Sequence, residues 1–572
     1  MNNFPSATVY FIADNQEREL FGDPTYYSAG LAQTSSKVAI RSVEQDLYTK
    51  YVAESVMRTI TNQDGTPPVI HLGDVLDYSC NSEFSRLRHL SFLAAPNVYV
   101  VRGNHDGIFQ GNMTYGGWLG RVWLYMRKIF VNKKIDTSLE SHFNAVCGPL
   151  DGNLPKSDPK APLGRDKLDA REWPHQFNCD YLRLKSSDNL ENEIKAFCDA
   201  SDYHRYYKVP EHGKPPPLRK EDKKINTPYE YKATMTSGNS LMKWNRGSLL
   251  QSVRVPLKPS KECTNSKHKV KPCAVSNDPE LGLILLDTTD WPKQPSFKLL
   301  SNKSSSKIGT ISKHQRTLVE NQLKEWQAEL EHSVKAVILT GHYPLSDLHP
   351  DSVRWMLNLQ DEFPFLAPVY FSAHTHQGYT KIGYDRDMSN GDIREINVGS
   401  LIDAPVHYRK AIFSWDDKSS QLLLTSELRT PWKELQCAAD GSPQAAAAIA
   451  GKESAVNYKK RTDWRPTHQW CERLWFAGRS MRDLAGLPVD VTKRSYCVDS
   501  KPTAMSHFLK QYRTAQETMN TSLIGNIKEQ ERLACAAIAG GKVFTFNKKD
   551  GKEHEPPGTI NYVFDLRTDS TK

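Results

Sequence analysis

Polar side chains follow two short apolar runs, each at the point where the run meets a glycine. The segment "IHLGDVLD" places Asp74 and Asp77 after one glycine, and "VVRGNHDG" places Asn104, His105 and Asp106 after another. A glycine at such a turn lets the backbone bend sharply and approach its neighbours closely. Carboxylate, amide and imidazole groups together bind hard or borderline metal ions. The two turns therefore indicate a metal site or a catalytic site.

Three further apolar runs also lead into polar side chains, one of them through a glycine. "TVYFIADNQ" leads to Asp14 and Gln16, "VILTGH" leads to His342, and "VYFSAHTH" leads to His374 and His376. In α/β sheets, ligands bind beyond the carboxyl ends of the strands. We therefore expect the side chains at all these strand ends to meet in one crevice.

The candidate ligands outnumber the four that a tetrahedral zinc ion takes. They are two carboxylates, two amides and three imidazoles: Asp14, Asp74, Gln16, Asn104, His342, His374 and His376. This number suits two ions about 3.5–4 Å apart that share a carboxylate, a geometry used for in-line displacement at phosphorus. Oxygen and nitrogen ligands without thiolate favour Mn, Fe, Zn or Co over soft metals.

The apolar runs themselves predict buried strands, because they are short and rich in β-branched or aromatic residues. They are Thr8–Ala13, Val69–Leu72, Val98–Val101, Leu283–Leu286, Val337–Leu339 and Val369–Phe371. Two amphipathic helices, Ser42–Ile60 and Ser312–Leu330, are predicted between them, and each opens on a Ser-x-x-Gln capping box. A segment from Ala411 predicts a closing hairpin. Strands that alternate with helices predict an α/β fold.

The length of 572 residues predicts more than one folding unit, or one core with insertions. We expect a catalytic domain at residues 1–434, with a large insertion at about 108–245, and a mainly helical C-terminal domain at 435–572. The insertion contains the Pro- and charge-rich stretch Lys214–Lys224, which is typical of a surface loop.

Composition and charge set further expectations about partners and compartment. The net charge of +9 is mild for this length, so it suits an anionic phosphate ester but does not favour nucleic acid as the substrate. No apolar run reaches the roughly 18 residues that cross a bilayer. The first residues lack the features of a signal peptide, so cytoplasmic residence is the default expectation, with export by another route left open.

The order of the motifs, Asp-x-polar, GDxxD, GNHD, GH and HxH, resembles that of the calcineurin-like metallophosphoesterase superfamily. The resemblance covers about residues 8–106 and 281–426 and does not explain the insertion or the C-terminal region. It implies a two-sheet β-sandwich flanked by helices. Asp77 stands where a tyrosine would indicate the purple acid phosphatases, which argues against that branch and leaves Asp77 a supporting role.

The resemblance also implies roles for the site residues. One metal ion would be held by Asp14, Gln16, Asp74 and His376, and the other by Asp74, Asn104, His342 and His374. A metal-bound hydroxide would attack phosphorus, His105 would stabilise the leaving oxygen, and Asp106 would orient the ring of His105. The family usually has histidine at the position of Gln16. Either the amide oxygen is a weaker ligand there or water takes its place.

The resemblance thus implies a dinuclear metal-dependent hydrolase of phosphate esters, either a phosphatase or a phosphodiesterase. Its cofactors would be two divalent or trivalent ions, Mn first, with Fe, Zn or Co as alternatives. Two other functions stay open. A metal-dependent nuclease would need a basic, aromatic-lined groove, and the mild charge does not favour it. Only Gln16 favours the third function, a non-catalytic scaffold with a degraded metal site. The sequence does not identify protein partners.

Overall fold

A computed structural model describes eleven continuous ranges and several short stretches of the chain. The ranges are 4–16, 67–76, 97–106, 229–237, 246–257, 279–289, 309–328, 333–382, 393–402, 407–429 and 558–566. The other described residues are Ala53, Val56, Met57, Ile60, Ala95, Phe177, Asn178, Cys179, Tyr181 and Leu182.

Thirteen strands and two helices make up the regular structure of the described residues. The strands are β1 (Ser6–Ile12), β2 (Val69–His71), β3 (Val98–Val100), β4 (Glu230–Ser237), β5 (Arg246–Pro256), β6 (Glu280–Leu286), β7 (Val334–Gly341), β8 (Leu366–Ser372), β9 (Gly378–Ile382), β10 (Arg394–Val398), β11 (Tyr408–Asp416), β12 (Gln421–Arg429) and β13 (Gly558–Asp565). The helices are α1 (Lys313–Ala328) and α2 (Pro350–Glu362), and a 3-10 turn spans Leu345–Asp347. All six predicted strands are present, and β6, β7 and β8 are each at least three residues longer than predicted.

The strands form two mixed sheets. The first has the order β13-β12-β11-β1-β2-β3, and the second has the order β4-β5-β6-β7-β8-β10-β9. Strands β1, β2 and β3 run parallel to one another, as do β6, β7, β8 and β10. The carboxyl ends of each parallel set therefore lie at one edge of their sheet, which is the edge that carries the candidate ligands.

One hydrophobic core draws side chains from both sheets. Phe11 of β1 stacks on Phe371 of β8, with ring centroids 4.0 Å apart. A second core packs the other face of the second sheet against the helices, where Val319, Trp326 and Met356 are buried. Because both faces of this sheet are covered, its central strands are apolar at nearly every position, as in "LGLILL" of β6.

Helix α1 begins as its sequence predicts. The hydroxyl of Ser312 accepts a hydrogen bond from the backbone N–H of Gln315, at 3.2 Å, and caps the first turn. The side-chain amide of Gln315 binds both the backbone N–H and the carbonyl of Asp287, and so holds the loop that follows β6. Of the predicted helix Ser42–Ile60, the structure describes four residues, all helical and buried.

Two predicted boundaries need correction. Strand β4 (Glu230–Ser237) pairs with β5 in the second sheet, so the insertion ends before residue 230. Strand β13 pairs with β12 along its length, so residues 558–565 belong to the first sheet and not to a separate C-terminal domain. The rest of 435–572, with its predicted helical character, lies outside the described residues, as does Lys214–Lys224.

Cys179 is disulfide-bonded. Within the described ranges, no helix has both the length and the apolar character that a membrane span requires.

Candidate metal centre

Five loops bring the candidate ligands together, three from the first sheet and two from the second. Backbone hydrogen bonds join the loops directly. The N–H of Asp14 donates to Gly73 O at 3.0 Å, and that of Gln16 donates to Asp74 O at 2.9 Å. The N–H of Ala373 donates to His342 O at 2.9 Å. The loops thus hold one another in place through the main chain, before any side chain is considered.

Most of the candidate ligands have a strained backbone. Five of them adopt positive φ angles between 42° and 70°, in the left-handed region: Asp14, Gln16, Asp74, His374 and His376. Among the described residues, Ser420 in a hairpin turn is the only other non-glycine residue with positive φ. Such conformations cost about 1–3 kcal/mol each and persist where the surrounding structure imposes them, often at functional sites.

The side chains form two groups of metal-binding atoms that share one carboxylate. Asp74, His342 and His374 form one group, Asp14, Asp74 and His376 form the other, and within each group the ligand atoms lie within 4.8 Å of one another. In the first group, His342 Nε2 lies 3.4 Å from Asp74 Oδ2 and 3.2 Å from His374 Nδ1. In the second, His376 Nε2 lies 3.3 Å from Asp14 Oδ1.

The two amides adjoin these groups in different ways. Asn104 Oδ1 lies 2.8 Å from His342 Nε2, so its oxygen faces the first group. Gln16 turns its Nε2 inward, 3.3 Å from Asp74 Oδ2 and 3.4 Å from His376 Nε2. An amide nitrogen is a donor and cannot bind a cation. Ligation by Gln16 therefore requires its amide to turn over and bring Oε1 to the position of Nε2.

The donor set fits divalent metal ions. Gln16 Oε1 is buried and has no hydrogen-bond partner, although burial of an unsatisfied polar atom costs free energy. Two carboxylates that are buried close together also need positive charge nearby to offset the free-energy cost of their desolvation. Carboxylate oxygen with imidazole nitrogen is the ligand chemistry of Mn, Fe, Zn and Co.

Protonation in this centre follows from burial and from the neighbouring charges. Burial raises the pKa of Asp14. Burial also opposes ionisation of Asp74, but the nearby His342 and His105 outweigh it and hold the pKa of Asp74 well below its ordinary value. Burial lowers the pKa of His374 to about 3, so this ring is neutral near pH 7, as metal ligation requires.

The ring of His342 is oriented by the backbone. Its Nδ1 lies 2.7 Å from Leu72 O, and a carbonyl can only accept, so Nδ1 carries a proton and Nε2 faces the other ligands. Burial opposes a charge on this ring, but the Asp74 carboxylate prevails and raises the pKa of His342.

His105 lies at the rim of the centre, with its side chain 11% exposed. Its Nε2 is 3.9 Å from Asp74 Oδ2, and its backbone N–H donates to Asp74 Oδ1 at 2.8 Å. The side chain can therefore reach a molecule that enters from solvent while its backbone holds the shared carboxylate.

Asp106 does not take the position predicted for it. Its Oδ1 accepts from Leu76 N and its Oδ2 accepts from Gly103 N, both at 2.8 Å. Both carboxylate oxygens thus bind the backbone of the two glycine turns instead of orienting the ring of His105. Burial and the nearby Asp74 raise the pKa of Asp106 to about 7. The other aspartate of the first turn, Asp77, lies outside the described residues.

One residue of the centre was missed by the sequence analysis. His71 is buried at the end of β2, with Nε2 2.8 Å from Asn15 Oδ1, and its Nδ1 accepts from Gly73 N at 3.2 Å. Burial lowers the pKa of His71 to about 3, so the ring is neutral and joins the loops of Asp14 and Asp74. A histidine within the apolar run "VIHL" was the signal that could have revealed it.

Comparison with protein-family models finds a match in this chain. Residues 47–206 match the model of the calcineurin-like phosphoesterase family, a range that contains both glycine turns and hence Asp74, Asn104 and His105. Over these residues the chain is similar to the calcineurin-like phosphoesterase family. Among curated proteins, no relative of the chain was found.

The calcineurin-like family generally hydrolyses phosphoester bonds and binds divalent metals. Its match ends well before the three candidate histidine ligands and begins after Asp14 and Gln16. In this chain, the fold brings those outlying residues to the matched turns, and together they form the two donor groups that share Asp74.

Proposed function

We propose that the protein is a dinuclear metal-dependent hydrolase of phosphate esters, a phosphatase or a phosphodiesterase. One observation carries the proposal: Asp74 belongs to both buried groups of ligand atoms, so a single carboxylate can bridge two ions. The two-sheet sandwich that the superfamily implies is supported by the core that both sheets share.

The proposed ligand sets follow the two groups. Asp14, Gln16, Asp74 and His376 would hold one ion, and Asp74, Asn104, His342 and His374 would hold the other. We favour Mn²⁺, with Fe, Zn or Co as alternatives, because the neutral amide of Gln16 is a weaker ligand for Zn or Fe than imidazole. Two bound cations would neutralise charge on the phosphoryl oxygens and lower the pKa of water.

The protein's own groups supply the rest of the chemistry. The ring of His105 at the rim can stabilise charge on the leaving oxygen and donate a proton to it. The backbone N–H of His105 donates to the shared carboxylate of Asp74. The ring of His105 and this carboxylate therefore keep a fixed position relative to each other. Asp106 is a positioning residue in this scheme, because it ties the two turns that carry Asp74 and His105.

Metal binding and hydrolysis by one pair of variants test the proposal. The wild type should bind about two equivalents of Mn²⁺ per chain and hydrolyse either p-nitrophenyl phosphate or its bis ester. Asp74→Asn should lose both properties, because it weakens a ligand common to both groups. Asp361→Asn, an exposed residue of α2, is the matched control and should retain both. If the wild type binds no metal and hydrolyses neither ester with Mn, Fe, Zn or Co, the proposal is wrong. The non-catalytic scaffold is then the alternative that remains.

A further inference from the structure

A buried glutamate lies beneath the loops that carry the three histidines. Glu395 in β10 has no exposed surface, and its carboxylate accepts three hydrogen bonds. Its Oε1 accepts from the hydroxyls of Ser372, at 2.8 Å, and of Tyr379, at 2.7 Å. Its Oε2 accepts from the backbone N–H of Leu345 at 3.2 Å.

Each of these partners lies close in sequence to a different histidine. Leu345 follows His342 by three residues, in the loop after β7. Ser372 precedes His374 by two residues, at the end of β8, and Tyr379 follows His376 by three residues, in β9. One carboxylate therefore holds all three segments that carry the candidate imidazole ligands.

The same face of β10 supports the His374 loop a second time. Asn397, two residues further along, donates from Nδ2 to Ser372 Oγ at 3.0 Å and to Ala373 O at 2.6 Å. Side chains two apart in a strand share a face. Ile396, which alternates with them, lies in the core shared by the sheets. The face of β10 opposite to that core is thus polar beneath the histidine loops.

A carboxylate in the interior of a sheet needs a reason, because its burial is unfavourable unless hydrogen bonds offset it. An apolar residue at this position would fill the same space without that cost. The backbone strain at His374 and His376 indicates what the carboxylate adds, since strained loops persist only when their surroundings hold them.

We propose that Glu395 is a positioning residue of the metal centre, which holds His342, His374 and His376 in the arrangement that binds the cations. The inference rests on the proposed function, because it assigns these three rings as ligands. Glu395 acts through Leu345, Ser372 and Tyr379 and contacts neither metal nor substrate.

The test compares two glutamate substitutions. Glu395→Gln keeps the size of the side chain but leaves one oxygen to face three donors. Glu280→Gln is the matched control: Glu280 is also buried, but it lies at the start of β6, the end of the strand away from the centre, where it binds Arg254. Each variant is titrated with Mn²⁺, the visible spectrum of its Co²⁺ form is recorded, and its unfolding by urea is measured.

We expect Glu395→Gln to weaken Mn²⁺ binding by about 10–100-fold, as the loss of a group that orients metal ligands typically does. The Co²⁺ spectrum should change, because the ligand geometry changes. Glu280→Gln should match the wild type in both metal measurements, even where its stability falls. Tyr379→Phe removes one of the three donors and should produce a smaller shift in the same direction, which keeps the test available if Glu395→Gln does not fold.

The possible failures are distinguishable. If the wild type binds no metal, both this inference and the proposed function are wrong. If the wild type binds metal and hydrolyses phosphate esters while Glu395→Gln and Tyr379→Phe bind metal normally, only the role of Glu395 is wrong. Equal weakening in the Glu280→Gln control would assign the effect to general stability and would also overturn the inference.

Discussion

Asp74 combines more constraints than any other side chain described in the centre. It has a positive φ angle of 54°, is fully buried, accepts from the N–H of His105 and lies near His342. A carboxylate so placed can face two cations at once, because each of its oxygens has two lone pairs. At the scale of single residues, the chemistry depends on carboxylate oxygens that lie close to imidazole nitrogens.

His105 offers the clearest separation of binding from turnover. His105→Ala removes the ring at the rim but leaves the backbone N–H that holds Asp74. We expect turnover to fall by about 10²–10⁴-fold, the usual contribution of a general acid, while the metal content stays that of the wild type. Steady-state kinetics and metal analysis of the same sample check both. Loss of metal from this variant would contradict the role assigned to His105.

Substitution of Gln16 tests which metal ion the group of Asp14, Asp74 and His376 prefers. Gln16→His introduces an imidazole where the amide lies 3.3 Å from Asp74 and 3.4 Å from His376. We expect Zn²⁺ binding to tighten by roughly tenfold, about 1.4 kcal/mol, since imidazole is the better ligand for this ion. Competition titration with a zinc indicator measures the change, and Gln421→His in β12 is the control. An unchanged affinity would show that position 16 does not contribute a ligand.

At the scale of elements, the two glycine turns are packed against each other. Gly73 has a φ of 94°, and a Cβ added to it would collide with the backbone of Gly103. Asp106 bonds to both turns, through Leu76 and Gly103. The turns therefore form one unit that sets the distance between Asp74 and Asn104.

Gly103→Ala tests this unit. The new Cβ would overlap the backbone and carboxylate of Asp74, which cannot move aside easily. Overpacking of this kind costs about 1–3 kcal/mol, and here we expect metal binding to be lost as well. Gly282→Ala in β6 is the matched control, because its Cβ would press on the ring of Trp326, away from the candidate ligands. It should lose stability in urea but bind Mn²⁺ normally. If Gly103→Ala also binds Mn²⁺ normally, close packing of the turns is not required.

At the scale of the whole molecule, residues near the C-terminus complete the first sheet. Strand β13 turns Tyr562 and Phe564 into the core that both sheets share, while Val563 between them is 58% exposed. Arg394 of the second sheet also lies over the ring of Tyr562, 4.1 Å from its centroid. The last strand thus contacts both sheets.

Two neighbouring substitutions measure what this strand contributes. Phe564→Ala should lower the free energy of unfolding by about 3–5 kcal/mol, the usual cost of removing a buried aromatic ring. Val563→Ala, on the exposed face of the same strand, should change it by less than about 0.5 kcal/mol. Urea unfolding of both proteins gives the comparison. Similar values for the two variants would mean that β13 adds little to the core.

Local patterns in the sequence were sufficient to predict the six strands and the residues that follow five of them. Each of these strands and the candidate ligands that follow it are adjacent in the chain, so their pattern is visible without a fold. The cap of α1 at Ser312 and the hairpin from Ala411 are local in the same sense, and both are confirmed.

Other features were decided only by the tertiary structure. Strand β13 pairs with β12 across more than a hundred intervening residues, and β4 joins the second sheet, so neither strand's place in a sheet could be predicted from local pattern. The two oxygens of Asp106 bind the turns that meet around it, and Glu395 binds three loops from separate strands. A hydrogen-bond partner is chosen by distance in space. The sequence can therefore name the groups that do the chemistry, but the fold selects the groups that hold them.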